Sequence, residues 1–140
     1  MMSEKAVYTL GCGDRFAHQG EAQLAAYIEA NKRGINVCPV WNKSNREHQT
    51  VHTEPASLRA EADAAVAALD WSQNYFVDAD HINRSNVDGF IDSSDFFTLD
   101  VADNIGESAV QADVDAFVVS MEKQIGDIEL PGLKEKLSVS

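Results

Sequence analysis

Asp78-Ala79-Asp80-His81 gathers two carboxylates and an imidazole into four consecutive residues. Such a set can supply a proton acceptor, a metal ligand and a group that orients either of them. It follows directly on the apolar run Tyr75-Phe76-Val77, which reads as a strand buried in a parallel sheet. The polar residues then emerge at the strand's C-terminal end, where α/β folds carry their chemistry. A plain strand end followed by an Asx-type turn fits the same residues, so the surrounding elements must decide.

Those elements alternate. A first strand is predicted over Ala6–Leu10, ending in the polar turn Gly11-Cys12-Gly13-Asp14-Arg15. A helix follows with Leu24, Tyr27 and Ile28 on one face and Gly34 as its C′ stop. The second strand runs Ile35–Trp41, with an irregularity expected at Pro39, which removes a ladder donor. After the polar segment Asn42–His48, Thr53 is placed to cap a helix that has Pro55 in its first turn. Leu58, Ala62, Ala65, Val66 and Leu69 form the buried stripe of that helix. The third strand is Tyr75–Val77, and a short helix then carries Val87, Phe90 and Ile91. The fourth strand, Phe96–Leu99, ends in Asp100-Val101-Ala102-Asp103-Asn104. Ser108 and Gln111 have capping-box spacing, ahead of helical periodicity in Val110, Val114, Phe117, Val118, Met121 and Ile125. The tail after Pro131 is charged and no strand is predicted in it.

Four consecutive βα units specify an α/β fold with parallel strands and right-handed crossovers. The expected architecture is one domain over residues 1–140, resembling half of a TIM (β/α)8 barrel; a small open sheet is the other solution. The chain stops where a fifth strand is due, so it reads as a piece of a larger barrel. In either sheet the strand ends share one rim: Asp14 and Arg15; Asn42, Lys43 and Arg46; Asp78, Asp80 and His81; Asp100 and Asp103. That set suits a metal-assisted site for a polyhydroxylated anion, against the bland reading of ordinary polar loops.

Composition narrows the partners. At 140 residues, 44% apolar and 24% charged, the chain is an ordinary globular domain. Eleven Lys and Arg against 23 Asp and Glu give a net charge of −12, with no basic stripe for a nucleic-acid backbone. Met1–Lys5 lacks the apolar core of a leader, and no apolar stretch approaches the ~18 residues of a span. A cytoplasmic protein without a membrane partner is the expectation. Cys12 and Cys38 border apolar runs and read as buried free thiols, since no second pair or histidines stand at ligand spacing. His18 and His52 read as solvated or capping residues, Trp41 and Trp71 as packing residues.

The third-strand cluster resembles three known arrangements. Haloacid-dehalogenase-type phosphotransferases present an apolar-D-x-D, in which Asp78 would be nucleophile and Asp80 general acid. Nucleotide-sugar transferases carry a DxD. Class II aldolases place an Asp immediately before a metal-ligating His after a barrel strand. Longer motifs are more specific: Gly13-Asp14-Arg15-Phe16, Pro39–His48, Tyr75–Asn83 and Asp95–Asp103 are similar to the tagaturonate epimerase family. Members of that family interconvert tagaturonate and fructuronate, two keto-hexuronates of bacterial uronate catabolism.

The resemblance implies an isomerase with Asp80 as proton acceptor and His81 as ligand of a divalent metal cation. It puts Arg15, Lys43, Asn45 and Arg46 in segments that can face substrate. Asp78, His48, Asp100 and Asp103 would support these groups. The partner implied is a small keto-hexuronate, and exposed strand edges favour a homo-oligomer. Family members are much longer, so the remaining metal ligands and a second acid are expected in later strands. This chain alone is then expected to bind metal weakly and to show no measurable epimerisation. A catalytically inactive half-barrel that self-associates is the alternative.

The two sugars differ at a carbinol β to both ketone and carboxylate, whose C–H is not acidic. Retro-aldol cleavage and re-addition therefore fits better than direct proton abstraction. Transient oxidation finds no dinucleotide fingerprint, because Gly11-Cys12-Gly13 lacks the third glycine of GxGxxG.

Overall fold

The computed structural model describes residues 8–129 and 136–139, so Ala6, Val7 and Pro131 lie outside the described residues. The chain divides into two compact units, Met1–Asp103 and Asn104–Ser140. Residues 100–110 are exposed throughout.

In the first unit, strands β1 (Tyr8–Cys12), β2 (Val37–Ser44), β3 (Phe76–Ile82) and β4 (Phe96–Leu99) pair in parallel in the order β1-β2-β3-β4. Helices α1 (Gly20–Lys32), α2 (Asn45–Val51) and α3 (Ala56–Ala68) come between them. This is the curled half-barrel sheet that the alternation predicts. A doubly wound sheet would instead carry helices on both faces.

The core explains why α1 and α3 share one face. Leu24 and Tyr27 of α1 and Leu58, Ala62 and Ala65 of α3 pack with Trp41 of β2 and Val77 of β3. Both helices present these residues at three- and four-residue spacing, the period of one helix face. Gly20 lets the helices approach, since a Cβ there would stand 3.1 Å from that of Ala65. Its N–H donates to the Glu61 carboxylate at 2.9 Å, which satisfies an otherwise orphan first-turn donor of α1. The polar tips of the buried aromatics are also satisfied: Trp41 Nε1 donates to Gln23 Oε1 at 2.9 Å and the Tyr27 hydroxyl to the Leu10 carbonyl at 2.8 Å. Gly34, at φ +85°, is the C′ stop that the sequence predicts.

Several local expectations are corrected. Strands β2 and β3 run on to Ser44 and Ile82, so the polar residues lie within the sheet and not after it. Pro39 causes no break, because it stands one residue before the pairing with β3 begins at Val40. The irregularity falls instead between Ala79 and Ile82, where the β3–β4 register shifts. Thr53 does not cap α3; Pro55 occupies that position without a side-chain bond, and the Thr53 hydroxyl is engaged elsewhere. The short helix after β3 is two 3-10 turns, Val87–Gly89 and Ile91–Ser93, with Phe90 between them packed on Ala79 and Ile82.

The second unit contains α4 (Gln111–Met121), where the periodicity places a helix. Val110 occupies its N-cap without a side-chain bond, so the Ser108 capping box does not form. Beyond it β5 (Gly126–Ile128) pairs antiparallel with β6 (Leu137–Val139), a strand in the tail where none is predicted. The ladder between these short strands supplies order that the charged composition does not signal. Among the described residues no helix is long and apolar enough to cross a membrane.

Leu24 is fully buried between the two helices and the sheet. Leu24→Ala should therefore lower unfolding stability by about 3 kcal/mol through lost packing and a residual cavity. Urea denaturation checks this as a lower midpoint at unchanged slope. A loss under about 1 kcal/mol would contradict the packing described.

Candidate functional site

Successive strand side chains point to opposite faces, and the helices cover the face that carries Trp41 and Val77. The opposite, inner face therefore receives Val40 and Asn42 from β2 and Asp78 from β3. Together with Thr9, Gly11, Phe96, Phe97 and Thr98 these residues line a depression of about 430 Å³. A second depression of about 420 Å³ is lined by Gly13, Asp14, Arg15, Phe16, Asn42 and Glu47.

Asp78 is buried in the first depression, with Thr98 Oγ1 at 3.1 and 2.8 Å from its two carboxylate oxygens. Asp80 follows two residues along the same strand, paired with Ser44 of β2. On a regular strand its neighbour His81 would point to the opposite face. The register shift and a φ of 52° at His81 turn it back, so that Nδ1 stands 2.8 Å from Asp80 Oδ1.

His81 is exposed, and its Nε2 has no hydrogen-bond partner among the described residues. The hydrogen bond and negative charge of Asp80 raise the His81 pKa, and Asp100 adds to this while Arg46 opposes it. Asp80, His81, Asp100 and Arg46 are thus brought together at the rim. Asp100 is held there by its N–H to the Ile82 carbonyl at 2.8 Å, and its Oδ1 accepts from Ala102 N at 3.2 Å. Asp103 is exposed in the following 3-10 turn, Ala102–Asn104.

An imidazole whose Nδ1 is held by a carboxylate is well prepared to offer Nε2 to a metal. Among the described residues, however, no three His, Cys, Asp or Glu groups are grouped to hold an ion. The donor set here is one ligand, not a site.

Helix α2 starts directly at the rim because Ser44 and Glu47 form a capping box: Glu47 N donates to Ser44 Oγ at 3.2 Å, and Ser44 N to Glu47 Oε2 at 3.0 Å. That box fixes Asn45, half-buried, and Arg46, exposed, in the first turn. The other Glu47 oxygen lies 3.8 Å from Arg15 Nε. Asp14 organises its own loop, accepting from the backbone N–H groups of Phe16, His18 and Gln19 at 3.0, 3.3 and 3.1 Å.

The structure does not bring Lys43 to the inner face. It is 1% exposed, and its Nζ donates to Thr53 Oγ1 at 3.0 Å. Burial pulls its pKa down, opposed by the charges of Glu47 and Asp14. His48 is buried beside it, with Nδ1 3.0 Å from the same hydroxyl and its ring edge-on to Phe90 at 5.8 Å. The Thr53 hydroxyl thus stands between the Lys43 ammonium and the His48 imidazole. The imidazole Nε2 is buried without a partner among the described residues. Burial, then the Lys43 charge, hold the His48 pKa at about 4.

Asn42 is the inner-face residue that the sequence leaves among the rim polar groups without a role. Val40, Asn42 and Ser44 alternate with Trp41 and Lys43, and that alternation is its signal once β2 is continued past Trp41.

A family model described as UxaE tagaturonate epimerase matches residues 1–129. No curated protein matches the chain. Among solved structures, the native fructuronate-tagaturonate epimerase UxaE from Cohnella laeviribosi is similar over 96% of this chain, at 20% identity and TM-score 0.61. Its complex with one glycerol is similar over the same share, at 20% identity and TM-score 0.58. The chain spans 29% of the length of that protein.

The neutral His48 has a measurable consequence. The unfolded chain binds its proton at the ordinary 6.5 and the folded chain at about 4. Stability is therefore full above pH 6.5 and falls as the pH drops towards 4. Urea unfolding at pH 7 and pH 5 should differ by on the order of 2 kcal/mol, and His48→Gln should remove most of the difference. Equal slopes with pH in both proteins would contradict the buried neutral imidazole.

Proposed function

Because this chain belongs to the UxaE tagaturonate epimerase family, we propose that its rim serves the interconversion of tagaturonate and fructuronate. The observation that supports this reading best is the Asp80–His81 pair, joined at 2.8 Å at the sheet edge. Asp80 is the proton acceptor. It takes the hydroxyl proton of the carbinol that differs between the sugars, the carbinol oxygen becomes an aldehyde, and the adjacent carbon–carbon bond breaks. The electron pair of that bond moves onto the ketone side as an enediolate. The aldehyde turns, the bond re-forms on its other face, and Asp80 returns the proton. No electrons are gained or lost.

His81 holds the Asp80 carboxylate in place through Nδ1, and Arg46, Asn45 and Arg15 stand where an anionic sugar can be bound. A divalent cation on His81 Nε2 would supply Lewis acidity to a substrate oxygen. Catalytic metal sites use about three protein ligands, and among the described residues no group of three is present.

D-Tagaturonate added to the protein should shift the backbone amide resonances of Asp80, His81 and Arg46, and neutral D-tagatose should do so more weakly. Any turnover that is measurable with added Mn2+ should fall at least about 100-fold in Asp80→Asn. His81→Ala should leave the thermal midpoint nearly unchanged, because the side chain is exposed. Rim amides that ignore D-tagaturonate, or turnover that survives Asp80→Asn, would overturn the reading.

A further inference from the structure

The Asn42 carboxamide occupies an unusual position in the half-barrel. It is the residue that lines both inner depressions, the one reaching towards Arg15 and the one that holds Asp78 and Thr98. On the backbone it pairs with Asp78, two positions before the Ser44–Asp80 pair, so it stands one inner-face step below the rim.

One glycine makes room for it, and a second lies within ordinary contact distance. A Cβ on Gly13 would come within 2.4 Å of the Asn42 carbonyl oxygen and 2.8 Å of its Oδ1. A Cβ on Gly11 would stand 3.4 Å from Nδ2. The Gly13 contact admits no side chain, so the turn after β1 closes against both the backbone and the side chain of Asn42.

Its neighbours' polar groups are paired within the protein, whereas the half-buried Asn42 carboxamide is open to the depressions. Trp41, Lys43, Ser44 and Asp78 each have a side-chain hydrogen-bond partner. Among the described residues the half-buried Asn42 carboxamide makes no such bond, although two donor hydrogens and an acceptor oxygen are available to it. A half-buried carboxamide that spends none of its hydrogen bonds within the protein is available to meet a ligand with both donors and acceptors.

We propose that Asn42 is a ligand-binding residue, whose amide bonds adjacent hydroxyls of a polyhydroxylated chain lying across the inner face. The choice of a hexuronate as that chain rests on the function proposed above; the hydroxyl-binding role does not. Asn42 fixes how far along the inner face the sugar lies, and so which carbinol reaches Asp80.

The test follows the Asn42 side-chain NH2 resonances during titration with D-tagaturonate and, separately, neutral D-tagatose. Both sugars should shift them, and Asn42→Ala should weaken each by about tenfold. Asn42→Asp keeps the shape but replaces donors with a negative charge, so it should weaken D-tagaturonate more than D-tagatose. Because it is nearly isosteric, it also serves where Asn42→Ala unfolds. If D-tagatose engages Asn42 and D-tagaturonate does not bind, the hexuronate reading fails and this inference stands. If the rim amides respond while the Asn42 signal stays still and Asn42→Ala binds like wild type, the inference is overturned. Silence of every resonance with both sugars overturns the two together.

Discussion

The ladder between β2 and β3 continues three residues past the apolar part of either strand, through Asn42–Asp78, Lys43–Ala79 and Ser44–Asp80. Everything at the candidate site depends on that continuation. A strand fixes its side chains alternately, so continued pairing commits Asn42, Asp78 and Asp80 to one face. The same rule commits Lys43 to the other, under the helices. Had the ladder ended at Trp41 and Val77, these residues would occupy loops with no common orientation.

The continuation carries costs that the neighbouring elements meet. A buried ammonium is unfavourable unless it is hydrogen-bonded, and Lys43 Nζ donates to Thr53 Oγ1 at 3.0 Å. Thr53 is thereby unavailable as a helix cap, and α3 begins without one. His48 completes the set with Nδ1 3.0 Å from the same hydroxyl, while its buried Nε2 has no partner among the described residues. The capping box of Ser44 and Glu47 then turns the chain into α2 at the point where the ladder stops. Near the end of β3 the register shift does the complementary work, turning His81 back onto Asp80.

The order of elements, their parallel pairing and the stripes of α1 and α3 were legible because apolar periodicity records them directly. Leu24, Tyr27, Leu58, Ala62 and Ala65 all lie where that pattern places them. The strand ends were not legible. Asn42 to Ser44 and Asp78 to His81 are polar, and a polar run reads as a loop unless the partner strands are known to continue beside it. Lys43 therefore reads as a rim residue, whereas the ladder turns it under the helices. The Asp80–His81 contact was beyond reach for a different reason: it needs a bulge, and no residue type in β3 announces one. The pairing of β5 with β6 was equally hidden, since a three-residue ladder in a charged tail leaves no periodic signal.

Amide hydrogen exchange across β3 tests the continued ladder most directly. Asp78 and Ala79 lie between paired residues of β2 and β4, and Asp80 opposite Ser44. The account predicts that the Asp78, Ala79 and Asp80 amides exchange as slowly as that of Val77, within the stable core of the sheet. Protection that ends at Val77, with fast exchange from Asp78 onward, would show the cluster to be a loop and contradict the site built upon it.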